Sequence, residues 1–213
     1  MKNIKTLSSK LLRQDPRFLR NDFEAQGVWE IPLIKKCEID ASSLNLIASD
    51  HVCLKANSID KAKTVHFFVD DIKLERYYNQ PFRYSRRLAQ YASLLTPDFS
   101  LYTDLPIAIQ IYNTFKSRYC GAYWQYCDLQ VIPTISWSTL ISYDFCFDGI
   151  ERESVVAIST LGVHNEKSLF LGGYFEMIKR INPKQVLCFG ALFPEMGDET
   201  ISFPYYLTSR RLI

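Results

Sequence analysis

Between Thr96 and Trp137 the chain passes from an alternating run, through an amphipathic run, to a second short apolar run. That order leaves few folds open. Asp98, Ser100 and Tyr102 alternate with Phe99 and Leu101, as on a strand with one polar and one apolar face. Asp104 stands where a helix N-cap would, and Pro106 follows where a missing N–H costs little. Leu105, Ala108, Ile109, Tyr112 and Phe115 recur at helical spacing and predict a helix over Leu105 to Arg118, with Gly121 as its C-cap. An aromatic loop, Tyr123-Trp124-Gln125-Tyr126, then leads to an apolar strand from Leu129 to Ile135, made irregular by Pro133. Strand, helix and strand in this order form a β-α-β unit, whose strands lie parallel with a right-handed crossover.

The same alternation extends outward. Leu44 to Ala48, Ser154 to Thr160 and Gln185 to Phe189 read as buried strands. In Thr64 to Asp71 (TVHFFVDD), His66, Phe68 and Asp70 share one face, and Val65, Phe67 and Val69 the other. Helices are predicted over Ser8 to Leu19, Pro81 to Ser93, Ser138 to Tyr143 and Leu169 to Ile181. The last runs through Gly172-Gly173 and stops at Asn182-Pro183. About six mostly parallel strands alternating with helices make an α/β fold. A reduced or distorted β/α barrel is the first expectation and an open doubly wound sheet the second. Residues 1–36 read as a basic arm packed on the domain, 37–190 as the core, and 191–213 as an irregular tail with a short strand at Tyr205-Tyr206-Leu207.

Charge and cysteine usage narrow the setting. The net charge is +2, but residues 1–36 hold eight Lys/Arg against four Asp/Glu, and the other 177 hold 17 against 19. A basic arm suits nucleic acid or an acidic partner protein. The six cysteines form no CxxC pair and lack the His spacing of a zinc site, so they read as reduced thiols of a cytoplasmic protein. There is no signal-peptide pattern and no run of the ~20 apolar residues a membrane helix needs.

Several blocks together, VHFFVDD, TPDFSLYTDLP, the N-x-x-x-SRYCGAYWQ run from Asn113, VIPTISW and SVVAISTLG, resemble the domain-of-unknown-function family 4417 over roughly residues 30–190. The resemblance implies a setting of bacteria, especially Gram-positive ones, and of their phages, plasmids and conjugative elements. It supplies no catalytic residues.

Candidate chemistry therefore comes from the residues alone. Parallel β/α folds place their ligands at the C-terminal ends of the strands, where Asp70 and Asp98 are expected. Converging there, they could hold Mg²⁺ or act as an acid–base pair. The other reading is structural hydrogen bonding to loop amides. His164 follows a strand and could serve as a general acid or base. Trp124, Gln125 and Trp137 could stack and read a nucleobase, or be ordinary core and lid residues. Arg83, Arg86 and Arg87 on a basic helix could contact a partner. No P-loop, GxGxxG, HExxH or GxSxG is present. Three functions fit these features. The first is a mobile-element enzyme acting on a nucleotide or nucleic acid. The second is a non-catalytic protein that inhibits or redirects a host protein such as a defence nuclease. The third is a DNA- or RNA-binding accessory.

Overall fold

The computed structural model describes residues 19–37, 39–40 and 43–203. The expected helix over 8–19 falls almost wholly outside these residues, and the strand at Tyr205-Tyr206-Leu207 falls wholly outside them.

A small antiparallel hairpin, β1 (Ala25–Gln26) and β2 (Ile31–Pro32), comes first. Next are β3 (Leu46–Ala48), a one-turn α1 (Ser58–Lys61), β4 (Thr64–His66), α2 (Asp71–Asn79), α3 (Pro81–Leu88) and β5 (Ser93–Leu95). The long α4 (Ile107–Tyr126) leads to β6 (Val131–Ile132), and a 3-10 turn at Leu140–Asp144 to β7 (Val155–Ser159). The chain ends with α5 (Lys167–Ile181), β8 (Gln185–Phe189) and β9 (Thr200–Phe203).

Strands β3-β4-β5-β6 form one parallel sheet and β7-β8-β9 a second. The protein is thus α/β with parallel sheets. Strand order follows chain order in both sheets, without the reversal that marks a doubly wound sheet. A single parallel bridge, Thr134 to Ala157, links the sheets, flanked by Ile135 N to Ala157 O and Ala157 N to Pro133 O, each 2.8 Å. Pro133 has no N–H to give, which accounts for β6 stopping at Ile132.

The sheet faces differ as alternation requires. Val65 and Phe67 face the helices, and Phe67 stacks on Trp124 at 5.2 Å. His66 and Phe68 face β8, with ring centres 4.8 and 4.5 Å from Phe189. A second apolar cluster gathers Ile135, Phe145, Val156, Ile158, Phe170 and Met177 beneath α5.

Several expectations are corrected. The strand expected over Asp98–Tyr102 is an extended loop, and the paired strand is Ser93–Leu95 just before it. Asp104 is exposed and caps nothing; Pro106 is the N-cap. Gly121 is no C-cap but lies inside α4. A Cβ there would come 2.5 Å from Ile34 and 2.7 Å from Thr96, so the glycine lets the helix sit against its neighbours. Consequently the expected aromatic loop at 123–126 is the last turn of α4. Helix α2 was not foreseen, because its buried side is only Leu74, Tyr77 and Tyr78. Segment 191–203 is not all irregular, since β9 pairs with β8 over four residues.

Candidate active-site cleft

The C-terminal ends of β4, β5 and β7 and the segment after β6 open into a cleft of about 850 Å³. Phe68 and Asp71 reach it from beyond β4, Asp98 and Tyr102 from beyond β5, Ser136 and Trp137 from beyond β6, and Ser159 from β7. It is the position that parallel β/α architecture reserves for ligands.

Asp98 is its chemical centre. Loss of water around its partly buried carboxyl pushes its pKa up to about 6; a hydrogen bond from Ser136 Oγ opposes this, and the Asp71 charge adds to it. Asp71 is itself fixed, accepting from Ser100 N at 3.1 Å and Ser100 Oγ at 2.9 Å. The Ser100 loop is held from α4. Asn113 Nδ2 donates to Ser100 O at 2.7 Å, and Gln110 Nε2 to Tyr102 O and Leu105 O at 3.2 and 2.9 Å.

The expected pair was Asp70 with Asp98. Asp70 stands on the rim, its side chain 79% exposed, 3.6 Å from Lys73. Asp71 is the acid turned toward Asp98. Strand alternation fails here because β4 ends at His66 and the chain turns, with Val69 N bonded to Phe67 O at 2.9 Å. Asp71 then becomes the first residue of α2, where the helix dipole favours a negative charge.

The aromatic candidates separate. Trp137 lines the cleft, its Nε1 donating to Phe170 O at 3.2 Å. Its ring fills the space a Cβ on Gly173 would need, at 2.2 Å, which explains a glycine inside α5. Trp124 is 0% exposed in the core and cannot stack a ligand. Gln125 lies in the last turn of α4, accepting from Lys35 N at 2.9 Å and donating to Lys35 O at 2.6 Å; it clamps the segment after β2 instead of reading a base. His164 begins a 3-10 turn next to Val163 of the cleft wall, and its side chain lies outside the described residues. Arg83 and Arg86 are exposed on α3 and Arg87 is half-buried there; none of them lines the cleft.

Ser100 and Ser136, which were not singled out, belong to the site. A signal for Ser100 existed in the Asp98-x-Ser100 spacing; nothing local marks Ser136.

Behind the cleft floor lies Arg118, buried in α4. Its guanidinium donates to Thr134 O at 2.7 Å, Cys146 O at 2.9 Å and Asp148 O at 3.1 Å. Burial lowers its pKa to about 10. Asp98 and Arg118 both border a void of about 10 Å³, room for one water at most, but form no ion pair. No disulfide joins any of the six cysteines among the described residues, and burial holds the Cys146 thiol up at about 12. No helix among the described residues is long and apolar enough to cross a membrane.

No solved structure matches the chain. Among curated proteins it is similar to the Gene 1 protein of Mycobacterium phage L5, 37% identical over 203 residues, covering 91% of this chain and 86% of that protein. It is also similar to the Gene 1 protein of Mycobacterium phage D29, 34% identical, covering 91% of this chain and 73% of the other. The model of the family described as "Domain of unknown function (DUF4417)" matches residues 23–206, so the chain belongs to that family.

Proposed function

We propose that the cleft is the active site of a mobile-element enzyme acting on a nucleotide or nucleic acid, with Asp98 moving the proton. The observation that carries this is a carboxyl raised to about 6 at the ligand end of parallel strands. A group titrating near neutrality is suited to general acid–base work. Burial, with the Asp71 charge added to it, keeps Asp98 from ionising early, Ser136 orients it, and Trp137 with the exposed ring of Tyr102 offers faces on which a base could stack. Among the described residues no group of three or more His, Cys, Asp or Glu is placed to hold a metal ion. Mg²⁺ at Asp71 and Asp98 would need substrate oxygens and water to complete its shell.

The test is a thermal-shift screen of nucleotides and short single- and double-stranded nucleic acids, with and without Mg²⁺. A ligand at 100 times its Kd adds about 2.7 kcal/mol, a shift of a few degrees. We expect Trp137→Ala to remove the shift, and Asp98→Asn to keep the shift but abolish turnover of whatever binds. A folded Asp98→Asn protein with its full biological effect would sink the reading.

We infer also that the two sheets are arcs of one incomplete β/α barrel. Chain-ordered parallel strands and the contacts of His66 and Phe68 with Phe189 support it. An experimental structure with β3 and β9 diverging would remove it.

A second reading is a non-catalytic protein that captures a host protein. It draws on exposed Arg83 and Arg86, which meet no carboxylate among the described residues. It expects a stoichiometric complex that salt and the double change Arg83→Glu, Arg86→Glu both weaken. A complex indifferent to both refutes those contacts.

A further inference from the structure

A second, smaller pocket of about 90 Å³ lies between the turn after β3 and helices α2 and α3. It is separate from the cleft and is bordered by Ser49, Asp50, Arg76, Tyr77, Tyr84 and Arg87. It has room for several waters or one tetrahedral oxyanion. Arg76 and Arg87 are both half-buried beside it.

The charge of the walls says which kind of occupant fits. Arg76 and Arg87 meet no carboxylate within ion-pair distance among the described residues. Both are instead held by aromatic rings. Arg76 lies 4.9 Å from the Tyr77 ring centre and 5.7 Å from that of Tyr84, and Arg87 lies 5.8 Å from Tyr84. Arg76 also donates to Tyr77 Oη at 3.1 Å, and Tyr77 Oη to Ser49 O at 3.1 Å, so the wall is braced. Asp50 is the acid of the pocket, and it is answered by Lys73 at 3.2 Å. Two guanidinium groups thus border the pocket with no carboxylate to answer them. A phosphoryl group supplies acceptors for both.

We propose that this pocket binds a phosphoryl group, either as free phosphate or as a terminal phosphate of a nucleic acid. The proposal goes beyond the reading of the cleft and stands without it, since no cleft residue takes part. Lys73 bridges the two sites, 3.2 Å from Asp50 of the pocket and 3.6 Å from Asp70 of the cleft rim, so a ligand could span them.

The experiment titrates the full chain with inorganic phosphate, and separately with one oligonucleotide carrying either a 5′-phosphate or a 5′-hydroxyl. Calorimetry and thermal shift are the readouts. Arg87→Met, on the half-exposed side, should weaken phosphate about tenfold or more. Arg76→Met should weaken it by a similar factor, with the melting temperature without phosphate read alongside because Arg76 also braces Tyr77. Preference for the 5′-phosphorylated oligonucleotide over free phosphate, lost in Arg87→Met, identifies a nucleic-acid end. Equal affinity for both identifies a free-anion site. No phosphate-dependent heat or shift in the unaltered protein, or wild-type affinity in both variants, overturns the proposal. Asp98→Asn should leave this binding intact, so failure here and failure of the cleft reading are separate results.

Discussion

Arg118 and Asp98 are two ionisable groups withdrawn from water on either side of one small void, and they are treated in opposite ways. Arg118 is surrounded by acceptors: three backbone carbonyls from two segments take up its donors. Asp98 has a hydrogen bond from Ser136, a like charge nearby in Asp71, and an open cleft in front. The first arrangement stabilises the fold by tying α4 to the segment after β6 and to the loop before β7. The second leaves a proton loosely held. Burial of charge alone does not single out a candidate; burial with unfinished satisfaction beside an opening does.

The comparison can be broken at its strongest point first. Arg118→Leu leaves three carbonyls unmet and should cost about 3–5 kcal/mol. Urea unfolding measures it, and a loss below about 1 kcal/mol would mean that the knot is dispensable. Asp98→Asn should do the reverse. The fold raises the Asp98 pKa from 3.8 to about 6. Its contribution to stability is therefore full below pH 4 and is lost as pH rises through 6. The Asn variant escapes that loss, keeps an acceptor for Ser136, and should gain about 1–3 kcal/mol at pH 8 with no gain at pH 4. A gain that does not depend on pH would contradict a raised pKa. Asp71→Asn is the mildest change. It weakens the grip on Ser100 by about 1 kcal/mol and, by removing a like charge, should lower the Asp98 pKa. Carboxyl titration by NMR would show the sign, and an unchanged Asp98 would uncouple the two acids.

Much of the frame was legible in the sequence. Val65, Val155 to Ile158 and Val186 to Phe189 sit in short β-branched or apolar runs that can hardly be anything but buried strands. The polar ends of those runs pointed to the end of the sheet where the cleft opens. What was hidden depended on contacts distant in the chain. Gly121 looked like a helix stop because its close neighbours, Ile34 and Thr96, cannot be seen locally. Trp124 and Gln125 looked like a recognition loop for the same reason. The choice of Asp71 over Asp70 turned on one backbone bond at Val69, which ends alternation a few residues early. Ser136 met Asp98 only through the pairing of β5 with β6.

The junction between the sheets has a mechanical meaning. Five residue pairs join β7 to β8, but β6 meets β7 through one bridge beside a proline that cannot donate. The molecule has a seam there, and the cleft straddles it, with Asp98 and Tyr102 on one side and Ser159 and Phe170 on the other. A rigid ligand laid across the cleft would act as a splint. Amide hydrogen exchange at Ile135 and Ala157 would then slow on binding more than exchange anywhere along β8, because the weakest joint has the most to gain from being braced.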